Sequence, residues 1–381
     1  MDYQLITTTE SLSDYCDQIS HCSLIAVDTE FLRERTYFPL LCLIQIASEH
    51  GHALIDPLAD GMSLEPLTTV LTDENITKIF HSGDQDIELF YHELGVIPTP
   101  LLDSQIISQA LGLGDTIAYH NLVKHMLDIA LDKSQQYTHW NKRPLTDEQL
   151  EYALADVTHL LAIAPMLTQR MEQLGRMHWT DEAHATLADK NRFVLSPEHI
   201  TKRVKHHLRK PIQLAALHRL AVWREERAMN KNLPRGFIMK DEVLAEIARR
   251  LPADEKELGK LRLLKPIKNE HEQKRIIDLL NEVRNADPNS YPAPKKKPDT
   301  LPNGELIGLL TIVLKQCCRE ANVASRLVAS RKDLDQVALG RSDIPCMQGW
   351  RFDVFGQYAE QLLEGNLHFH WDKDDGHVVM D

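Results

Sequence analysis

The stretch Ser23-Leu-Ile-Ala-Val-Asp-Thr-Glu-Phe31 decides the fold, because a short apolar run ends there in two acidic residues. Side chains alternate along a β-strand, so Asp28 and Glu30 project to the same face. Two such carboxylates at a strand end provide the oxygen ligands that a hard divalent cation prefers. For this motif alone, an acidic pair that only faces water is the alternative.

Short apolar runs and helical patterns alternate around this stretch. Strands are predicted at 23–27, 41–47, 53–55 and 78–80, and helices at 84–94, 103–111 and 147–174. This order is typical of a layered α/β domain in which helices cover a mixed sheet.

The second acidic motif is His81-Ser-Gly-Asp-Gln-Asp86, which follows a short strand and begins a helix. A carboxylate in the first turn of a helix is favoured by the helix dipole even without a functional role, and this structural alternative applies above all to Asp84. Asp86 lies about one turn in and is placed to point towards the strand that carries Asp28.

The third motif is Tyr152-Ala-Leu-Ala-Asp156, within a predicted helix. A spacing of four places Tyr152 and Asp156 on one helix face. The small residues Ala153 and Ala155 permit a close approach of neighbouring backbone. Such a pair is common on ordinary helices, so the motif is weak in isolation.

The rest of the chain has a different sequence pattern. From residue 211 onward the pattern is helical, interrupted by a segment with four prolines in fifteen residues that favours an extended linker. The predicted organisation is a domain at 1–175, a connector at 176–210, a helical domain at 211–285, a linker at 286–300 and a second helical domain at 301–375. Asn230 and Lys240-Asp241 recur as Asn322 and Lys332-Asp333, at an offset of 92, which predicts two similar helical modules in tandem.

Composition limits the class of protein. The 381 residues, with 43% hydrophobic and 26% charged, indicate two or three globular domains. The six cysteines form no C-x-x-C pair, which favours reduced, packed thiols. Residues 201–300 hold 24 Lys and Arg against 14 Asp and Glu, although the whole chain has a net charge of −13. The remainder therefore carries −23, an asymmetry that indicates a phosphate-binding part and a carboxylate-rich part; a solvated basic surface is the alternative.

Together, the three motifs resemble the tyrosine branch of the DEDD exonuclease superfamily. The position five residues before Asp156 is Glu151, where the histidine branch has His. The neighbouring residues, including Leu43-Ile-Gln-Ile-Ala47 and Leu101-Leu-Asp-Ser-Gln105, look like bacterial ribonuclease D. The resemblance covers nearly the whole chain. The two helical blocks are similar to the tandem helicase-and-RNase-D C-terminal (HRDC) domains of that family, the second less closely than the first.

This resemblance implies an α/β ribonuclease H-like exonuclease domain with a mixed sheet, followed by two small all-helical domains. It implies a 3′–5′ exoribonuclease that uses two divalent ions, Mg²⁺ or Mn²⁺, which are hard ions suited to oxygen ligands. Asp28 would bridge the two ions, Glu30 and Asp156 would complete the first, and Asp86 would hold the second. Tyr152, with an ordinary pKa near ~10, would orient the attacking water.

The resemblance also indicates residues that would contact the substrate: Phe31, Gln45, His81 and Arg33. Each has a structural alternative: Phe31 in the core, Gln45 on the sheet surface, His81 as a turn histidine with satisfied hydrogen bonds, and Arg33 as exposed charge.

The expected substrate is RNA, in particular tRNA precursors with 3′ extensions. The basic residues of the first helical module would bind its phosphates: Lys202, Arg203, Lys205, Arg209, Lys210, Arg224, Arg227, Lys231 and Arg235. A DNA 3′–5′ exonuclease and a non-catalytic RNA-binding protein are the alternatives. We further expect a monomer. We expect it in the cytoplasm, because the chain starts without a secretory signal and its longest apolar runs are too short to cross a membrane.

Overall fold

The computed structural model describes residues 2–136, 138–194, 196–261, 270–293, 301–374 and 376–380, the side chain of His377 excepted. The N-terminal part contains a six-stranded sheet in the order β1-β4-β3-β2-β5-β6. Its strands are β1 Gln4–Ile6, β2 Leu24–Leu32, β3 Leu40–Ser48, β4 Gly51–Ile55, β5 Thr77–Phe80 and β6 Leu101–Asp103. The sheet is mixed, because β1 with β4, β2 with β5 and β5 with β6 are parallel whereas β3 with β4 is antiparallel.

All four predicted strands are confirmed, and two further strands of this sheet were missed. The missed strands, β1 and β6, are three residues each, too short to show a period in the sequence. The predicted end of β2 was wrong, because the strand continues past Asp28 and Glu30 to Leu32. The two carboxylates therefore lie inside a strand that is hydrogen-bonded within the sheet.

Helices surround the sheet, and the longest crosses its centre. They are α1 Thr9–Ile19, α2 Leu67–Thr72, α3 Asp84–Leu94, α4 Ser104–Ala110, α5 Tyr119–Leu127, α6 Asp147–Gln173 and α7 Asp181–Leu187. Helix α6 places Val157, Leu160 and Ala164 against Ala26 of β2 and Ala47 of β3. The small alanines allow the helix to approach the sheet closely.

Helix α6 begins with a capping box. The Thr146 side chain accepts a hydrogen bond from the Gln149 backbone, and the Gln149 side chain accepts one from the Thr146 backbone. By length and composition alone α6 is apolar enough to cross a membrane. The core helix of a globular domain passes the same test, and the buried face of α6 packs on the sheet.

The contacts divide the chain into two compact units. The first unit consists of Met1–Glu30, Leu41–Asp189 and Pro298–Asp381, and the second of Phe31–Leu40 and Lys190–Lys297. This division differs from the predicted domain bounds, because the C-terminal helical block shares a core with the sheet domain. Leu310, Val313 and Cys317 of that block are buried together with Ile163 and Leu167 of α6.

The second unit is helical, as predicted for residues 211–285. Its helices are α8 Pro197–Lys202, α9 Pro211–Lys231, α10 Arg235–Ile238, α11 Asp241–Arg250, α12 Glu255–Gly259 and α13 Glu270–Asn285. Leu217, Leu244, Ile247 and Leu280 are fully buried in its core. The predicted linker at 286–300 lies partly outside the described residues.

The C-terminal block contains α14 Gly304–Glu320, α15 Ser325–Val328, α16 Arg331–Ala338, α17 Gly349–Arg351 and α18 Gln357–Leu363, with a π-helical turn at Phe352–Gly356. It ends in a hairpin of β7 Phe369–Asp372 and β8 His377–Met380, which the sequence did not predict.

A long helix, a one-turn helix and a medium helix follow one another in both helical parts, as α9–α10–α11 and as α14–α15–α16. In each part an asparagine in the left-handed region follows the long helix within two residues, Asn232 with φ 46° and Asn322 with φ 48°. The structural offset is thus 90 residues. The predicted offset of 92 was wrong by two because it rested on residue identities.

Candidate metal centre

Three of the predicted carboxylates converge at the centre of the sheet. Oxygen atoms of Asp28, Glu30 and Asp156 all lie within 4.8 Å of one another, and the three residues are half-buried. Alternation along β2 places Asp28 and Glu30 on one face, and the packing of α6 across β2 brings Asp156 to that face. Three oxygen ligands so close together could share one cation.

Burial and mutual repulsion change the protonation of this cluster. Burial raises the pKa of Asp28 well above its usual range, and the charges of Asp86, Asp156 and Glu30 raise it further. Burial, with the charges of Asp156 and Asp86, raises the pKa of Glu30 to about 9. Burial also raises the pKa of Asp156 to about 7. The charged forms of these carboxylates are therefore destabilised, and a bound cation would stabilise them.

Asp86 joins the cluster from helix α3. It is 7% exposed, and its Oδ1 accepts a hydrogen bond from the Thr29 hydroxyl of β2. Burial raises the pKa of Asp86 to about 6, although the bond from Thr29 acts in the opposite direction. This contact fixes the start of α3 against the strand that carries Asp28 and Glu30.

A second aspartate, Asp103, fixes the turn before α3. Its Oδ2 accepts a hydrogen bond from the Gly83 backbone at 2.8 Å, and its Oδ1 caps α4 through the backbone of Gln105 and Ile106. Gly83 cannot be replaced without movement, because an added Cβ would lie 2.5 Å from the Phe80 side chain.

Tyr152 lies one turn before Asp156 and interacts with it. The side-chain hydrogen bond with Tyr152 lowers the pKa of Asp156 against the effect of burial. Burial and the nearby carboxylates raise the pKa of the Tyr152 hydroxyl. The hydroxyl therefore keeps its proton at neutral pH and can act as a hydrogen-bond donor.

Sequence reasoning missed Thr29, Asp103 and Tyr119. The Tyr119 hydroxyl donates to the Ala155 carbonyl at 3.1 Å. Burial raises its pKa, and the charges of Asp156 and Asp28 raise it further. Thr29 and Asp103 lie within stretches that the sequence analysis singled out, but each has a hydrogen-bond partner that is distant in the chain. Tyr119 has no local signal, because it reaches the cluster from the start of α5, far from any of the three motifs.

The predicted substrate-contacting residues have different environments. Phe31 is half-buried and Arg33 is exposed. The His81 ring nitrogens bond to the Ser104 hydroxyl at 2.9 Å and to the Ile117 carbonyl at 3.1 Å, which favours the turn-histidine alternative.

Gln45 is fully buried in β3 and not on the sheet surface. In the part of the chain that the structure describes, its side-chain oxygen and nitrogen have no hydrogen-bond partner. A buried amide of this kind is costly, by about 1–3 kcal/mol for each unsatisfied group.

The donor set fits the implied ions. The side chains of Asp28, Glu30, Asp86 and Asp156 are all carboxylates, the ligand type that suits Mg²⁺ and Mn²⁺. Their raised pKa values show that their charged forms are destabilised, and a bound cation would stabilise these forms. A second group with ligand atoms within 4.8 Å, Cys22, Glu49 and His50, has two exposed members. We assign that group no role.

Two families match this chain. Residues 3–172 match the family described as 3′-5′ exonuclease, and residues 213–280 match the HRDC domain. The first match contains the three motifs and the whole sheet. The second match lies inside the second compact unit.

Curated relatives and solved structures agree with these matches. Ribonuclease D of Sphingobium indicum is 41% identical over 96% of this chain and 96% of its own length. Ribonuclease D of Zymomonas mobilis is 40% identical over 99% of this chain and 98% of its own length. The crystal structure of Escherichia coli RNase D, described as an exoribonuclease involved in structured RNA processing, covers 96% of this chain and 99% of its own, with TM-score 0.83 and 31% identity.

The raised pKa values predict how stability depends on pH when metal is removed. Glu30 and Asp156 have pKa values of about 9 and about 7 in the folded protein, whereas ordinary carboxyl groups have values near ~4. Between these values the folded protein holds more protons than the unfolded chain, so the free energy of unfolding falls as pH rises. We expect a fall on the order of 1 kcal/mol per pH unit, measured by thermal melting in chelator. Glu30→Gln, which does not titrate, should flatten this slope; an unchanged slope in that variant would contradict the assignment.

Proposed function

The chain belongs to the ribonuclease D family and is a 3′–5′ exoribonuclease, and on this premise we propose that it releases 5′-mononucleotides by hydrolysis at a two-metal centre. Asp28, Glu30, Asp86 and Asp156 would hold the ions, and Tyr152 would orient the attacking water. The observation that carries this proposal is the convergence of Asp28, Glu30 and Asp156, whose oxygen atoms lie within 4.8 Å of one another.

Each side chain has a distinct part in this proposal. Divalent ions bound here would lower the pKa of a bound water and stabilise the leaving 3′ oxygen. The charges of all three other carboxylates act on Asp28, so Asp28 is the residue suited to bridge two ions. Glu30 and Asp156 would share the first ion with Asp28, and Asp86 would hold the second. Tyr152 acts by donating a hydrogen bond and not as a base, because its pKa is raised.

The substrate we propose is RNA with a 3′ extension, tRNA precursors in particular. The Escherichia coli relative is described as acting in structured RNA processing, which supports this choice over DNA. The second unit provides a surface of the right charge for such a substrate.

Some of the predicted basic residues are paired with acidic residues of the same unit, which makes them poorer candidates for binding RNA. Arg224 is 2% exposed and bonds to Asp241 at 2.7 Å, so the prediction that it binds phosphate was wrong. Arg227 and Lys231 both contact Glu272, at 2.9 and 3.2 Å. These bonds leave the exposed residues at 202–210 as the better candidates.

A groove of about 1160 Å³ lies beside those residues, within the second unit. Its basic lining side chains are Lys202, Lys205, Arg209 and Arg219, with Glu198 and Glu282 as acidic members and Tyr291 as an aromatic one. The Tyr291 hydroxyl donates to the Val283 carbonyl at 2.7 Å, which holds its ring in place. A basic groove with a fixed aromatic ring suits single-stranded RNA, because phosphates meet cations and bases stack on rings.

We also propose that the C-terminal block is a second HRDC-like module. The succession α14–α15–α16 repeats α9–α10–α11 at an offset of 90, with an asparagine in the left-handed region at the same point. This module is packed into the core of the exonuclease domain, where Leu310 and Val313 are fully buried. Its role would thus be structural in part.

Substitutions at the centre should separate metal binding from water orientation. Asp28→Asn removes the bridging charge and is expected to lower kcat by about 10⁴-fold or more, because charge stabilisation by both ions is disturbed. Tyr152→Phe removes one donor and is expected to lower kcat by roughly 10²-fold. Single-turnover release of the terminal nucleotide measures both, with circular dichroism as the control for folding. Near-normal turnover by purified Asp28→Asn enzyme would contradict the site.

The products and the preferred sugar test the reaction itself. With Mg²⁺ or Mn²⁺, a tailed RNA should shorten one nucleotide at a time and yield 5′-mononucleotides, and EDTA should stop the reaction. The DNA of the same sequence is the matched control. Equal rates on DNA would favour a DNA exonuclease, and tight RNA binding without products would favour a binding protein.

The groove predicts which charges matter for affinity. Lys202→Glu with Lys205→Glu should weaken binding of a long RNA and reduce the dependence of affinity on salt, because two phosphate contacts are lost. Lys256→Glu with Lys260→Glu makes the same change of net charge at exposed positions outside the groove lining. Equal losses in the two pairs, measured by filter binding across a salt series, would argue against the groove.

A further inference from the structure

Arg143 lies in the segment between α5 and α6 and binds five acceptors at once. Its Nε and Nη2 bond to the two oxygens of Asp56 at 2.5 and 2.6 Å. Its Nη2 also donates to the Cys42 carbonyl at 2.6 Å, and its Nη1 donates to the carbonyls of Trp140 and Lys142 at 2.7 and 2.9 Å. A guanidinium group has five N–H donors in a rigid fork, so this side chain is fully used.

Two of these acceptors belong to the sheet. Cys42 is fully buried in β3, and Asp56 directly follows β4. Asp56 is 6% exposed and also accepts a hydrogen bond from the Leu58 backbone at 2.9 Å. Arg143 therefore connects the segment before α6 to a buried backbone group of β3 and to a buried side chain at the end of β4.

The other end of the contact leads to Tyr152. Trp140 is 1% exposed, and its ring centroid lies 6.1 Å from that of Tyr152, with the planes at 41°. Among the described residues the Trp140 ring nitrogen has no hydrogen-bond partner, so no polar contact of its own side chain orients the ring. The orientation of the Trp140 ring therefore depends on packing and on the hydrogen bond from Arg143 to the Trp140 carbonyl.

We propose that Arg143 and Asp56 are positioning residues for the hydrolytic step, acting through Trp140 on the Tyr152 hydroxyl. This inference rests on the proposed role of Tyr152 in orienting the attacking water. Arg143 holds the Trp140 carbonyl, the Trp140 ring packs against Tyr152, and the Tyr152 hydroxyl thereby keeps its place beside Asp156. Small misplacements of reacting groups reduce rates strongly, so loss of this contact should act on kcat.

A double-mutant cycle tests the proposal. Arg143→Lys keeps the charge but cannot reproduce the forked contact, and we expect kcat for terminal nucleotide release to fall about 10-fold with KM changed less than about twofold. In the Tyr152→Phe background the same substitution should cost less than about twofold, because the hydroxyl that it positions is already absent. Asp56→Asn supplies a second, milder variant that should follow the same pattern.

Arg176 provides the matched control. Its guanidinium also bonds to backbone carbonyls, those of Ala110 at 2.9 Å, Asn322 at 2.9 Å and Ala321 at 2.5 Å. It belongs to the same compact unit, and none of its acceptors is Trp140. Any effect of Arg176→Lys, which is a loss of structural support, should be equal in the wild-type and Tyr152→Phe backgrounds.

The outcomes separate this inference from the proposed function. Equal losses for Arg143→Lys in both backgrounds, a change in KM alone, or no loss at all would overturn the positioning role while leaving the exonuclease reaction in place. Wild-type protein that releases no mononucleotides would overturn both. A loss of kcat that disappears only in the Tyr152→Phe background, and only for Arg143 and Asp56, is the expected result.

Discussion

Repulsion among half-buried carboxylates is the constraint on which the rest of the structure depends. Asp28, Glu30 and Asp156 place oxygen atoms within 4.8 Å of one another. Burial raises the pKa values of all three, and neighbouring carboxylate charges raise those of Asp28 and Glu30 further. Such an arrangement weakens a fold unless a cation or protons compensate for it. A protein with this carboxylate cluster must obtain its stability from other contacts, such as those of the residues around the cluster.

The surrounding scaffold supplies that stability by close packing and by short polar contacts. Alanines at the contact of α6 with the sheet bring Asp156 close to β2, Thr29 holds Asp86, and Asp103 holds the turn before α3. The C-terminal block adds its own buried residues to the same core. The cluster is thus held by contacts from β2, from α6 and from the start of α3.

Local periodicity in the sequence was sufficient to predict which site residues of one strand or helix share a face. Alternation in β2 and the spacing of four in α6 correctly predicted that Asp28 with Glu30, and Tyr152 with Asp156, share a face. It was uninformative where contacts join distant segments: Tyr119 and Arg143 belong to no motif, since their roles arise from packing. Residue identities also misled, because the helical repeat has an offset of 90 and not 92, and because charge alone does not show that Arg224 is paired inside the fold.

The charge asymmetry of the chain follows from the same constraint. A site that gathers carboxylates for metal ions repels RNA phosphates when the ions are absent, and the net charge of −13 adds to that repulsion at long range. Cations that attract RNA are therefore most useful away from the carboxylates, where neither set neutralises the other. The exposed lysines and arginines at 202–210 belong to a compact unit that contains none of the four carboxylates. In the function proposed above, residues of different units would thus bind the divalent cations and the RNA phosphates.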